Sequence, residues 1–267
     1  MADKRTRASI AVATAGLTGV TWLALSIGAA PSASAHHGTA IGKGGTVTPP
    51  PAAAKPAPAP SPAPAPAPTQ AAQPAQATIS GTLDIGSSGD AVRAVEQRLD
   101  SLRYWIPNVD SNYDEDTYQA VMAFQKANNL DRTGTVNQSV WSAMQSATEP
   151  SALVPDGGSH RVEIDLKRQV LFLYEGGKLS KVFPVSSGTS ATPTPTGDYR
   201  IYSQSTGWET SRLGRLYNSQ YFVGGYAIHG SLSVPNYPAS HGCVRLTMSA
   251  ADWFPNHVSL GTPVYVR

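Results

Sequence analysis

The sequence predicts a multidomain chain: a Pro/Ala-rich linker expected to be disordered, a small all-α three-helix domain, then a mainly-β domain. Three observations carry this. Between Pro49 and Pro74 the chain is almost only Pro and Ala, with eleven of its 22 prolines. From residue 82 to 146 apolar residues recur at helical spacing, and after Pro150 they alternate with polar ones instead. Charge divides the same way: Lys plus Arg minus Asp plus Glu gives +4 over 1–78, −5 over 79–150 and +3 over 151–267. A net charge of +2, with 14% charged residues, argues against nucleic-acid binding and against a broadly disordered chain. The expected divisions are 1–35, 36–78, 79–148 and 158–267.

Residues 1–35 look like an export leader. Lys4, Arg5 and Arg7 precede an apolar run from Ile10 to Ala30, and Ala33-Ser34-Ala35 is a small-x-small cleavage signal. The run is long for a secretory core and is diluted by Thr14, Gly16 and Thr18, so a cleaved signal peptide and a retained signal anchor both stand. Either places the rest of the chain outside the cytoplasmic membrane, in the cell wall or a periplasm-like space, with a membrane partner only if the anchor is retained. The 26 residues from Pro49 to Pro74, in polyproline II conformation, reach roughly 80 Å at about 3.1 Å per residue. His36-His37 could bind a metal at a new N-terminus, although a solvated tail is the expectation.

The helices follow from spacing. Val92, Val95, Leu99 and Leu102 form one amphipathic face, and Pro107-Asn108 ends that element. A second helix is expected from Asp114-Glu115-Asp116, acids that suit the positive end of a helix dipole, to about Asn128, burying Val121 and Phe124. Val140, Trp141 and Met144 mark a short third helix. The segments LDIGSSGDAVRAVEQRL, YDEDTYQAVMAFQKANNL and GTVNQSVWSAM resemble the three-helix peptidoglycan-binding domain, departing from it at the SNYDEDT turn. The resemblance implies docking to cell-wall glycan–peptide; a simple spacer is the alternative.

After the Pro155–Ser159 turn, Val162, Ile164 and Leu166 alternate with charged or polar neighbours. With Gln169–Tyr174 and Leu179–Ser186 they predict an antiparallel three-strand meander. Thr192–Gly197 is a rigid turn into a strand at Tyr199–Tyr202, and Ser203–Gly225 shows little periodicity, so long loops are expected there. Ala250–Phe254 is a helical turn or two, and Val264-Tyr265-Val266 a last strand.

The chemistry concentrates in AIHGSLSVPNYPASHGCVRL, Ala227–Leu246, which holds the only cysteine. Outside the cytosol cysteines usually pair, so a lone Cys243 is an unpaired thiol in a disulfide-permissive place. Only a few per cent of a free thiol is thiolate at neutral pH, so a nucleophilic cysteine needs a base within hydrogen-bond reach. His229 and His241 are the two imidazoles nearby. A buried, inert cysteine is the alternative.

TPTPTG before a strand, AIHG and SHGCVRL, in that order, resemble the L,D-transpeptidase catalytic domain (YkuD family). Two departures are the ten-residue gap between His229 and Ser240, shorter than the pattern is often written, and Arg245 where other members carry asparagine. The resemblance implies Cys243 as nucleophile, His229 as base and the Gly230 carbonyl as the group that orients it. His241 then tunes the thiol or only shapes the turn. The Gly242 and Cys243 amides are candidate oxyanion donors. Ser240, Gly242, Arg245 and Tyr226 are the candidate substrate-binding residues, Arg245 because its fork matches a carboxylate; a surface arginine on a strand is the equal alternative. Tyr226 and Trp208 are expected to pack into the core, with lining of a groove as the alternative. Asn236 is a side-chain rival to Gly230. The implied partners are donor and acceptor peptidoglycan stem peptides, with no nucleic acid, no cofactor and no metal. A third-position cross-link through a thioester is expected, with water in place of the amine giving an L,D-carboxypeptidase. A zinc peptidase using His229, His241 and Cys243 and a non-catalytic wall-binding protein are the rival classes. The first lacks any His-Glu-x-x-His pattern or paired ligand spacing.

Overall fold

The computed structural model describes residues 78–267. The expected leader and, up to residue 77, the Pro/Ala linker lie outside the described residues. Three helices come first: α1 (Asp90–Ser101), α2 (Glu115–Ala127) and α3 (Gln138–Ser146). Asp114 caps α2 by accepting from the Thr117 amide at 2.9 Å, and Asn137 caps α3 through Val140 at 3.0 Å. α1 begins after Gly89, at φ 102°, with no side-chain cap. Val92, Val95 and Leu99 are fully buried, as their spacing predicts. The helix ends at Ser101, several residues before Pro107.

The β part holds two five-stranded sheets. The first contains β1 (Arg161–Asp165), β2 (Val170–Glu175), β3 (Lys178–Pro184), β4 (Gly197–Arg200) and β10 (Pro263–Val266), in the order β3-β2-β1-β10-β4. β1, β2 and β3 form the expected antiparallel meander, and β10 pairs parallel to β1. In the second sheet β5 (Ser203–Gln204), β7 (Gly214–Val223), β8 (Tyr226–Gly230) and β9 (Val244–Leu246) lie side by side, with β6 (Trp208–Ser211) also paired to β7. A short helix, α4 (Met248–Trp253), continues into a 3₁₀ turn, Phe254–His257.

Ser203–Gly225 is therefore not loop but three strands, with β6 and β7 forming a hairpin. The period-2 signal fails there for identifiable reasons. The β7–β8 register shifts between Tyr217 and Gln220 and again between Tyr221 and Val223, and Asn218 sits at φ 51°. Around its tip the hairpin is exposed, so no apolar face marks the pleat.

The alternation in β1 also has another meaning. Val162 and Ile164 face the core between the sheets, yet Arg161, Glu163 and Asp165 are buried as well. The segment before the strand covers them: the Leu153 amide donates to Glu163 at 2.6 Å, and the Arg161 guanidinium meets Glu163 at 2.7 Å while lying 3.7 Å over the Tyr174 ring. A buried charge pair with its remaining acceptors filled is tolerated; a lone one is not.

β2 is apolar on both faces, and each face enters a different core. Leu171 and Leu173 point between the sheets with Phe183, Val244 and Phe254. Val170, Phe172 and Tyr174 join Leu179 and Val182 of β3 in the core of the helical domain, with Leu99, Tyr104 and Phe124. The helices are thus packed directly on the first sheet. Backbone bonds stitch the join, from Trp105 N to Val182 O at 2.9 Å and from Val182 N to Arg103 O at 2.7 Å. Lys126 crosses it: fully buried, its Nζ donates to the Val185 carbonyl at 2.9 Å, and burial pulls its pKa down to about 7.

Candidate active site

β8 and β9 run parallel, with His229 opposite Arg245. Cys243 lies two residues before Arg245, hence on the same side of the sheet, while Ile228, Val244 and Leu246 take the core side. Adjacent parallel strands thereby bring a thiol and an imidazole fourteen residues apart in sequence into one cleft, of about 600 Å³. Ala227–Leu246 begins and ends as strand, with irregular chain and an isolated bridge at Ser240 in between.

His229 is buried, and its Nδ1 lies 2.9 Å from the Gly230 carbonyl oxygen. A carbonyl only accepts, so Nδ1 carries the proton and Nε2 is left with its lone pair. Gly230 has no room for a side chain, because a Cβ would sit 2.7 Å from Ala251 Cβ. Burial, and to a lesser degree the Arg245 charge, hold His229 below the ordinary histidine pKa despite the opposing Gly230 carbonyl and Glu209. Burial likewise pushes the Cys243 thiol up, opposed by the Ala227 amide and the Arg245 charge and reinforced by Glu209. The resting pair is consequently thiol and neutral imidazole. The sulfur also lies 4.0 Å from the Gly225 carbonyl.

The turn that presents the cysteine is held from inside. Ser240 is buried; its hydroxyl donates to the Cys243 carbonyl at 2.6 Å and accepts the Gly242 amide at 3.0 Å. Ser240 thus closes the turn, and it also lines the cleft. The Gly242 amide is committed in the same bond, which leaves Cys243 as the other amide considered for an oxyanion. Gly242 adopts φ 114°, and a Cβ there would lie 2.1 Å from the Tyr226 ring. Tyr226 is thus packed over the turn as well as lining the cleft.

Behind the turn sits the TPTPTG segment. Thr194 Oγ1 donates to the Gly242 carbonyl at 2.8 Å and accepts the Gly188 amide at 2.9 Å; Thr192 Oγ1 donates to the Ser240 carbonyl at 3.1 Å. Ser187 O receives the amides of Ala239 and Ser240, and Ser186 exchanges backbone bonds with Arg245. The helical domain adds a further clamp: Arg132 donates to the Asn236 carbonyl at 2.9 Å, and Asn236 Nδ2 returns a bond to Arg132 O at 3.0 Å. Asn236 faces the helices, so the group that orients His229 is the Gly230 carbonyl.

His241 and Arg245 line the cleft, with His241 exposed. Trp208 is 41% exposed on the hairpin, packed at a tilt against Tyr217, rather than in the core. Tyr221, absent from the sequence reading, also lines the cleft, and its hydroxyl donates to Glu209. It lies in the stretch where strand periodicity was invisible. Among the described residues no group of three His, Cys, Asp or Glu side chains is placed to hold a metal ion.

Comparison with known proteins matches this architecture. Residues 159–266 match the family described as L,D-transpeptidase catalytic domain (YkuD), and residues 88–144 a peptidoglycan binding domain family. A crystal structure of an L,D-transpeptidase from Xylanimonas cellulosilytica is 36% identical, with a TM-score of 0.67, over 72% of this chain and 100% of that one. A Bacillus licheniformis protein bearing the name L,D-transpeptidase YkuD is 29% identical over 109 residues, 39% of this chain; the match spans 64% of that relative's length. The chain belongs to the YkuD family of L,D-transpeptidases, with a three-helix peptidoglycan-binding domain preceding its catalytic domain.

Proposed function

We propose that this enzyme cross-links peptidoglycan between third-position stem residues through a thioester on Cys243. The observation that carries the reading is the His229 Nδ1 bond to the Gly230 carbonyl, which leaves Nε2 basic on the strand beside the thiol. Nε2 takes the proton from sulfur as the thiolate attacks the carbonyl at the L-centre of the third residue. The Cys243 amide receives the developing oxyanion. As the C–N bond breaks, the imidazolium returns its proton to the leaving D-alanine amine, and the C–S bond of the thioester remains. An acceptor-stem amine then attacks; the new C–N bond forms, the C–S bond breaks and the thiol recovers a proton. His241, on the same cleft, tunes the thiol, and the three-helix domain holds the enzyme to the wall. The site of action is outside the cytoplasmic membrane.

The pKa directions define the pH behaviour. With its pKa depressed, His229 stays unprotonated to lower pH than an ordinary histidine, so the acid limb of activity lies below the usual imidazole range. The raised thiol delays direct alkylation by iodoacetamide until above the ordinary thiol range. Incubation of purified muropeptides with the enzyme and analysis of the products by mass spectrometry is the test. The expected result is a third-to-third cross-link lost by at least about a thousandfold in Cys243→Ala and His229→Ala. Full cross-linking by either variant overturns the mechanism; free tripeptide as the only product makes water the acceptor.

A further inference from the structure

The hairpin wall of the cleft has a charge pattern that catalysis by Cys243 and His229 does not require. Arg212 and Arg215, at the β6–β7 tip, line the same cleft as Arg245, and no Asp or Glu lines it. Three guanidiniums face one cavity in a chain whose net charge is only +2. The nearby carboxylate, Glu209, is engaged by the Tyr221 hydroxyl. Arg215 is also preorganised: its guanidinium lies 4.2 Å over the Trp208 ring, which packs on Tyr217 at 5.1 Å between centroids. An aromatic platform holds a cation in place without neutralising it, so its donors remain directed to a ligand. Packing gives no reason for arginine here, since both residues are exposed on a projecting hairpin.

We propose that Arg212 and Arg215 form an anion subsite on the hairpin that selects stem peptides bearing a free carboxylate over the same stems with that group amidated. The inference rests on the transpeptidase reading above and names a substrate feature within it. A carboxylate accepts both donors of a guanidinium fork with charge assistance, whereas a carboxamide offers one neutral acceptor and places an NH₂ against the cation. Arg245, two residues from the sulfur, serves a carboxylate close to the scissile bond. Arg212 and Arg215, across the cleft on the hairpin, serve one farther along the stem. Because the pair is exposed, its effect is on capture: it lowers KM for the acidic stem and weakens with salt.

The test compares two synthetic tetrapeptide stems, identical except that the second-residue α-carboxylate is free in one and a carboxamide in the other. Each is assayed with wild type and with Arg212→Gln/Arg215→Gln at low and high salt. Wild type is expected to favour the free acid by about tenfold in kcat/KM at low salt. The double variant should lose that preference through KM, with kcat and turnover of the amidated stem unchanged. Equal handling of both stems by wild type, or an equal loss on both in the variant, overturns the subsite while leaving the transpeptidase reading intact. If wild type processes neither stem, both fall.

Discussion

Two walls of one cleft are built on opposite terms. Beneath the sulfur, Ser240, Thr194, Ser187 and the Arg132–Asn236 exchange tie the turn into buried structure on several sides. Across from it, the β6–β7 hairpin meets solvent, with Leu213 at its tip 67% exposed. A nucleophile must be held to within a fraction of an ångström, and the clamped wall is the one that carries Cys243, the nucleophile proposed above. The stem recognition proposed for the hairpin tolerates adjustment, as its exposure allows.

The sharpest way to break this contrast is Gly242→Ala. The new methyl would meet the Tyr226 ring in a backbone conformation that L-residues rarely adopt, so the turn must move. Cys243 acylation by a β-lactam, followed by intact mass, is expected to slow by about a hundredfold, with the fold retained. Arg132→Ala tests whether the helices contribute to the clamp. It removes bonds to Asn236 and Lys167 carbonyls, at a distance from any substrate. About tenfold slower acylation at unchanged KM is expected, with roughly 1–2 kcal/mol lost in a denaturant titration. An unchanged rate would mean that the catalytic domain clamps its own turn.

A further effect, on stability and not on rate, concerns Lys126. Its folded pKa, about 7, is depressed below the ordinary lysine value, so between those two values the unfolded chain binds more protons and stability rises with pH. Below that window both states are charged and this group adds no slope. Denaturation midpoints should therefore climb between pH 7 and 9.5 in wild type, and the climb should be absent in Lys126→Met. Parallel curves would show that the join accommodates the charge without strain.

Much of this architecture was legible in the sequence. The α1 spacing, the start of α2 near Asp114 and the β1–β3 meander follow from periodicity, charge and turn residues. The placing of a thiol and two imidazoles along one cleft accords with their closeness in sequence. The hairpin was not legible, because two register shifts and Asn218 interrupt the pleat and its tip buries little. Nor was the role of the Ala227 amide beside the sulfur, since a backbone group leaves no residue-type signature. Ser240 could be placed near the cysteine but not given its inward role, which depends on which way one hydroxyl turns. The join was half-legible: Val170–Tyr174 is an unbroken apolar run, the mark of a strand covered on both faces.

That two-faced strand has a consequence for inheritance. A gene fragment coding only for 158–267 would yield a sheet with Val170, Phe172, Tyr174, Leu179 and Val182 stripped of their cover. Such a surface is sticky, and the orphaned product would be prone to precipitate unless those positions were rewritten. Exchange of the wall-binding domain for another is therefore expected to require matching changes in β2 and β3, which soluble yield of such chimeras would check.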